Sequence, residues 1–174
     1  MKTGSIITYL SGCVLLTIPI MIWNAILVDR LPKAYSDENF WKDIPPIIVY
    51  GENTFRILAF VLPVFMPLNI ATPSQMTGLV IYLVGALAYF SAWAAQLFFP
   101  QSAWSTSLMG FLAPAYTPLL WLTGIGLIGD SFFFPAPYRS WVYITIAFLF
   151  VAFHCLHTWL VYLRTFPPIH GNLE

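Results

Sequence analysis

Five long apolar stretches, separated by short polar or proline-rich segments, set the pattern of this chain. Each is long enough to cross a membrane as a helix, since about 20 residues rising 1.5 Å each match the hydrocarbon core. The apolar runs are continuous, which does not fit the alternating pattern of a barrel strand, and backbone groups in lipid must pair internally. The pattern therefore predicts an all-α membrane protein, a five-transmembrane-helix bundle in a single integral membrane domain (1–174). The predicted spans are about 5–28, 47–71, 76–99, 106–128 and 139–163.

The composition agrees with a membrane protein and excludes one class of partner. The chain is 59% hydrophobic and only 8% charged, whereas soluble domains carry about 25% charged residues. Its formal net charge is zero and no basic stripe is present, so nucleic acid is excluded as a partner. Cys13 and Cys155 fall at different depths in two predicted spans, which predicts free thiols that act as small apolar groups.

The distribution of Lys and Arg predicts the orientation in the membrane, because cytoplasmic loops carry an excess of both. One side of the predicted bundle holds Arg30, Lys33, Lys42, Arg56 and Arg164, and the other holds Lys2 and Arg139. The N-terminus is therefore predicted outside and the C-terminus in the cytoplasm.

The connections around the second predicted span carry capping and turn signals. In the preceding polar loop, Ser36 is predicted to cap a short helix that places Phe40 and Trp41 at the membrane surface. Pro45 and Pro46 suit the first turn of a helix, where a missing N–H costs nothing, so the second span is predicted to begin near Ile47. The segment 72–74 (Thr-Pro-Ser) is predicted to form a tight turn.

Two segments, 60–68 and 111–119, share the pattern Phe-x-x-Pro-x-(Phe/Tyr)-x-Pro-Leu. They lie in the second and fourth predicted spans, which cross in the same direction, so they predict two repeated helical hairpins (spans 2–3 and 4–5) plus span 1. Each proline also removes the hydrogen bond to the carbonyl four residues before it. The freed carbonyls are those of Ala59, Pro63, Gly110 and Pro114. Two interpretations stay open: proline-kinked helices with no further role, or kinks that open a pocket near the middle of the membrane.

Small residues recur along one face of the third predicted span. Gly85, Ala88, Ala92 and Ala95 alternate spacings of four and three residues, which places them in one stripe. Such a stripe lets a neighbouring backbone approach closely. It therefore predicts that span 3 occupies the centre of the bundle.

Four ionisable residues lie inside apolar stretches, and such residues usually face the interior of a bundle and carry function. Glu52 and Arg56 are four residues apart, in the order that favours an ion pair, and His154 and His157 are three apart. At 1.5 Å per residue, His157 lies about 10 Å from the end of its span at Arg164. Glu52 lies about 8 Å from the beginning of its own span, on the same side of the membrane.

Polar or amphipathic residues of four predicted spans thus converge at one depth on the predicted cytoplasmic side. They form a candidate ligand-binding site, provided that the helices turn these faces toward one another. Its residues are Asn24, Glu52, Asn53, Arg56, Trp93, Gln96, His154 and His157.

The first functional hypothesis is a small polytopic membrane protein that binds or passes an amphipathic or lipid-like molecule. Its role would then be lipid binding or transport. Arg56 would hold an anionic group of the ligand, Trp93 would contact the apolar part, and the histidines would orient it by hydrogen bonds. The partner would be a membrane lipid or another amphipathic small molecule.

Two further hypotheses stay open. An intramembrane enzyme would use Glu52, His154 and His157 as acid and base, or as ligands of zinc or iron. A structural subunit would need no site of its own and would work within a homo-oligomer or a larger membrane complex. The sequence identifies no cofactor.

Overall fold

The computed structural model describes residues 11–167, which fold into helices joined by short connections. The α-helices are α1 (Ile18–Leu27), α2 (Asp37–Phe40), α3 (Pro46–Val61), α4 (Pro73–Phe98), α5 (Ala103–Thr106), α6 (Leu108–Tyr116), α7 (Pro118–Ile128) and α8 (Ser140–Thr165). Among these described residues, strand-like pairing is limited to an isolated antiparallel bridge between Gly12 and Pro67. The all-α prediction is confirmed for this part of the chain.

Five helical runs are long and apolar enough to cross a membrane, as predicted. Spans 1 to 5 are Cys13–Arg30, Pro46–Phe65, Pro73–Phe98, Leu108–Ile128 and Ser140–Thr165. Span 1 adds a 3-10 turn to each end of α1, span 2 adds one to the end of α3, and span 4 consists of α6 and α7. Large apolar side chains such as Leu87 and Phe148 are exposed, as expected of positions that face lipid. The predicted beginning of span 1 (5–10) and Lys2 lie outside the described residues.

Span 2 ends at Phe65, and not near residue 71 as predicted. Pro67 has no N–H to donate, and in a continued helix its ring would clash with the carbonyl four residues before it. The helix therefore stops, and the chain that follows is extended. The extended segment pairs instead with the beginning of the described chain, where the N–H of Cys13 donates to the Met66 carbonyl at 2.7 Å. Pro67 thus ends the helix, and a contact distant in sequence holds the extended segment that follows.

The predicted tight turn at 72–74 is wrong, because this segment begins α4. Thr72 and Gln75 form a reciprocal capping box, in which each side chain accepts a hydrogen bond from the other's backbone N–H. Pro73 takes the first helical position, where no N–H is needed. Pro46 begins α3 in the same way, as predicted.

Two carbonyls that prolines deprive of their helical partners accept hydrogen bonds from neighbouring spans. The Tyr143 hydroxyl donates to the Ala59 carbonyl at 2.8 Å, and the Gln96 amide donates to the Gly110 carbonyl at 2.9 Å. Both donors are buried, so they satisfy these acceptors inside the helix bundle. Span 4 is interrupted near its prolines, where α6 gives way to α7.

Tyr143→Phe is expected to lower the free energy of unfolding by about 1–3 kcal/mol, because the buried Ala59 carbonyl would lose its side-chain donor. Tyr50→Phe removes a hydroxyl from an exposed position of span 2 and is the matched control. Thermal unfolding of the detergent-solubilised protein compares the two. Equal unfolding midpoints for these variants would contradict the stabilising role of the Tyr143 hydroxyl.

The most extensive helix–helix contacts are those of α4 with α7, which join spans 3 and 4, and of α3 with α8, which join spans 2 and 5. Spans 2 and 3 are therefore not packed as a hairpin, and the predicted repeat of two hairpins is not confirmed. The two copies of the proline pattern also lie at different depths. Phe60 is near the end of span 2, whereas Phe111 is near the beginning of span 4.

Span 4, and not span 3, is the most enclosed helix. In the most apolar 18-residue stretch of span 4, 61% of the residues are buried, against 33% in the corresponding stretch of span 3. Glycines bring α4 and α7 into backbone contact: a Cβ on Gly124 would lie 2.5 Å from the Tyr82 nitrogen and 2.6 Å from the Gly78 oxygen. Gly85 of the predicted stripe faces the backbone of Trp121. Close packing by span 3 is thus confirmed, but the central helix of the bundle is span 4 and not span 3.

The loop between spans 1 and 2 folds over the ends of spans 4 and 5. Its short helix α2 forms with Ser36 at the N-cap position, but the Ser36 side chain makes no capping hydrogen bond, because its hydroxyl donates to the Lys33 carbonyl. Phe40 and Trp41 pack on the ring of His157, with centroid distances of 4.1 and 4.6 Å. They therefore do not lie free at a membrane surface. The Tyr35 hydroxyl donates to the Phe111 carbonyl at 2.8 Å. Burial raises the pKa of Tyr35 well above its ordinary value, so the hydroxyl keeps its proton and stays a donor.

Candidate functional site

A buried carboxylate on α3 forms the centre of the site. Glu52 is 0% exposed. Its Oε1 atom accepts a hydrogen bond from the Arg56 guanidinium and lies 2.9 Å from Nδ1 of His154. Its Oε2 atom lies 2.6 Å from Nδ1 of His157. We refer to these four residues as the Glu52 cluster. The structure brings together the two pairs that the sequence places at one depth.

The Glu52 cluster forms because α3 and α8 approach each other closely. Glu52 and Arg56 are one helical turn apart on the face of α3 that packs against α8, which carries both histidines. Gly51 precedes the carboxylate and lies against the ring of Phe153, where a Cβ would be 2.6 Å from a ring carbon. Gly51 therefore leaves room for this ring at the contact between α3 and α8.

His157 is held at both nitrogens of its ring. Nδ1 contacts Glu52, and Nε2 lies 2.8 Å from the backbone carbonyl oxygen of Phe40. A carbonyl oxygen only accepts hydrogen bonds, so Nε2 carries a proton, and the contact between Nδ1 and the carboxylate holds a second proton. The pair of Glu52 and His157 thus shares two protons and has no net charge, whichever atom of the contact holds the second one.

His154 is held at one nitrogen. Its Nδ1 faces the carboxylate oxygen that also accepts from Arg56, so the proton of this contact lies on Nδ1. Its Nε2 makes no hydrogen bond within residues 11–167. The ring stacks on Phe150, with centroids 5.6 Å apart. Neutral His154 therefore directs the lone pair of Nε2 away from Glu52.

Arg56 contributes a positive charge at the edge of the Glu52 cluster. Its guanidinium carbon lies 5.8 Å from the ring centroid of Trp41 and 5.7 Å from that of Phe150. Aromatic faces attract a cation at such distances. Because the Glu52–His157 pair is neutral, the charge of Arg56 is not balanced within the cluster.

A cavity of ≈ 330 Å³ adjoins the Glu52 cluster and is lined by residues of all five spans and the first loop. Four of the eight predicted site residues line it: Asn24, Arg56, Trp93 and His154. Glu52 and His157 lie behind the wall. They hold the two cluster residues that face the cavity.

Two of the predicted residues lie away from the cavity. Gln96 is buried, and its amide donates to the Gly110 carbonyl, so it has a structural partner. Asn53 is half-buried on α3 and does not line the cavity. Asn24 does line it, and its Oδ1 atom accepts a hydrogen bond from the Tyr89 hydroxyl at 2.6 Å.

The sequence did not indicate that the first loop forms a wall of this cavity, and it indicated span 4 only through Pro114 and Pro118. The missed residues include Tyr35, Asp37, Phe40 and Trp41 in the loop, Ala115 and Trp121 in span 4, and Tyr89 in span 3. A signal for Tyr89 was present, because it lies four residues before Trp93 and shares its helix face. The two prolines in the wall agree with the interpretation in which kinks open a pocket.

The cavity wall is mostly apolar and also contains hydrogen-bond donors. Arg56 has further N–H groups besides the one that Glu52 accepts. The wall therefore favours a ligand that offers oxygen acceptors next to a large apolar surface.

The Glu52 cluster does not have the geometry of a metal site. Both imidazoles approach the carboxylate with Nδ1 at hydrogen-bonding distances, and Nε2 of His157 is occupied by a carbonyl. Metal ligands instead direct free lone pairs at one point about 2.0–2.2 Å away. No group of three His, Cys, Asp or Glu side chains in residues 11–167 is placed to hold a metal ion. The zinc or iron set of Glu52, His154 and His157 is not supported by this geometry.

No protein-family model, curated protein or solved structure matches this chain. The functional proposal for the protein therefore rests on the chemistry of the Glu52 cluster and of the adjoining cavity.

Proposed function

We propose that this protein binds an amphipathic small molecule with an anionic head group, such as a membrane lipid, in the cavity beside the Glu52 cluster. The observation that carries the proposal is the ≈ 330 Å³ cavity, whose wall joins Arg56 and His154 to a large apolar surface. The site lies at the end of the bundle that the first loop covers. We assign this end to the cytoplasmic side from the distribution of Lys and Arg.

The charge of the cluster favours an anion over a neutral or cationic ligand. Arg56 lines the cavity, and the neutral pair behind it leaves its charge unbalanced. Asp37 also lines the cavity, but from an exposed position of the loop where water and salt screen it. An anionic oxygen beside the guanidinium would form charge-assisted hydrogen bonds, which are strongest in a low-dielectric surrounding.

The remaining wall suits the apolar part of such a molecule. Phe60, Phe150 and Trp93 present aromatic surface to the cavity. Ligand pockets commonly combine a mostly apolar lining with a few polar groups, at volumes of about 300 Å³ and above. The cavity therefore meets the general description of a small-molecule site.

Binding accounts for these contacts without any movement of the ligand across the membrane. Three other roles stay predictions: transport through the same cavity, acid–base catalysis by the Glu52 cluster, and a structural role in a homo-oligomer or larger membrane complex.

Arg56→Gln is expected to reduce the amount of copurified anionic amphiphile at least tenfold. Glutamine keeps a side-chain amide that can reach Glu52, but it removes the charge that holds the ligand. Losing one charge-assisted hydrogen bond costs about 1.5–3 kcal/mol, and about 1.4 kcal/mol already corresponds to a tenfold change in affinity. The measurement is lipid extraction and mass spectrometry of protein purified in a neutral maltoside detergent.

Arg139→Gln is the matched control, because it removes an exposed cation from the opposite end of the bundle. It is expected to retain the amphiphile found with the wild type. Equal amounts of the same molecule in the wild type and in Arg56→Gln would overturn the proposal.

A further inference from the structure

We propose that the cavity takes up one proton together with its anionic ligand, and that Nε2 of His154 is the atom that receives it. This inference rests on the proposed function and adds the chemistry of binding. The ligand is then an amphiphile that enters as an oxyanion, and one proton enters with it for His154.

The positions of Arg56 and His154 indicate where the ligand oxyanion would lie. The Arg56 guanidinium and Nδ1 of His154 both contact the same oxygen of Glu52, so the two side chains are neighbours at the cavity wall. An oxyanion bound by Arg56 therefore lies beside the imidazole. The ring nitrogen that remains for it is Nε2, because Nδ1 is already engaged.

The hydrogen bonds of His154 show which of its ring nitrogens carries a proton. Nδ1 of His154 carries the proton that it donates to Glu52, so neutral His154 presents a lone pair at Nε2. An oxyanion also presents lone pairs, and two acceptors that face each other need a proton between them. Binding thus draws one proton from solvent into this contact. The carboxylate behind the ring stabilises the resulting imidazolium, as it does in other carboxylate–histidine pairs.

The other titratable groups around His154 offer no equivalent position for this proton. Glu52 already accepts hydrogen bonds at both oxygens, and His157 uses both ring nitrogens. Arg56 is always protonated. The hydroxyls of Tyr35 and Tyr89 hold their protons and donate them to a carbonyl and to an amide oxygen.

One acid besides the Glu52 cluster lines the cavity, namely Asp37 of the first loop. Its position is exposed, and it is the competing site for a proton. The experiment therefore includes a variant of this residue.

Calorimetric titration of the full chain, in a neutral maltoside detergent, tests the inference with two probes of equal chain length, decanoate and decanesulfonate. Each is titrated at one pH in two buffers whose ionisation enthalpies differ, and the difference in heat gives the number of protons taken up. The sulfonate stays ionised at any working pH, so a proton taken up with it must go to the protein. Wild type is expected to take up about one proton with either probe.

His154→Gln keeps a side-chain N–H that can donate to Glu52 but has no titrating nitrogen. It is expected to bind both probes more weakly and without proton uptake, whereas Asp37→Asn should behave like the wild type. Uptake with decanoate alone would place the proton on the ligand and overturn the assignment to His154. Uptake that persists in His154→Gln, or binding to wild type without uptake, would also overturn it. Failure of both probes to bind the wild type would reject the proposed function itself.

Discussion

Glu52→Ala is expected to lower the free energy of unfolding by about 3–5 kcal/mol, as the loss of one partner from a buried ion pair does. Arg56, His154 and His157 would lose their shared acceptor at once. His157 would be affected most, because its ring is fully buried and its second proton would have no partner. For a chain of 174 residues, this loss corresponds to a fall of roughly 6–20 °C in the midpoint of thermal unfolding.

Tryptophan fluorescence during heating of the detergent-solubilised protein measures this effect. Glu38→Ala removes an exposed carboxylate from α2 and is expected to shift the midpoint by no more than about 2 °C. Glu52→Gln keeps one acceptor oxygen and should fall between the two. A midpoint for Glu52→Ala within the range of Glu38→Ala would show that the Glu52 cluster does not hold α3 and α8 together.

The four residues of the Glu52 cluster are expected to contribute differently to stability and to ligand binding. Glu52 and His157 are buried behind the cavity wall and hold the helices, whereas Arg56 and His154 line the cavity. Variants of the first pair should therefore unfold more easily, and variants of the second pair should lose ligand before they lose much stability. A general loss of folding would affect both pairs alike, so the two measurements together separate a binding site from a structural one.

The five long apolar helical runs followed from the sequence, because the length and apolar composition of each are visible there. The free state of Cys13 and Cys155 is also confirmed, since residues at different depths cannot form a disulfide. The end of span 2 did not follow from hydropathy, because the segment after Phe65 stays apolar. Pro67 ends this helix, and the extended segment pairs with the chain around Gly12, a contact about which hydropathy carries no information.

The meeting of Glu52 with the two histidines followed from counting depth along each helix. Depth alone does not fix the rotation of a helix, and this is why Gln96 was placed in the same site. Its amide instead donates to the Gly110 carbonyl, one of the acceptors that the prolines were predicted to free. The donor, Gln96, and the acceptor, the Gly110 carbonyl, could each be identified from the sequence. That they pair depends on the packing of α4 against α6, which the sequence does not show.

Gly124→Ala is expected to lower the free energy of unfolding by about 3 kcal/mol, as overpacking at a tight contact does. The added Cβ would lie 2.5 Å from the Tyr82 nitrogen and 2.6 Å from the Gly78 oxygen. Both are backbone atoms of α4, which no rotamer change can move. Spans 3 and 4 would therefore have to separate along their whole contact.

Gly51→Ala is the matched control, because its Cβ would meet the ring of Phe153, a side chain that can turn aside. Both variants replace glycine by alanine inside a helix, so the gain in helix propensity of about 1 kcal/mol is common to both and cancels in the comparison. The difference between their unfolding midpoints then reports the backbone contact alone. Equal midpoints would mean that α4 and α7 can move apart at little cost. The cavity wall that Trp93 and Trp121 form on these two helices would then not be fixed by the glycine contact.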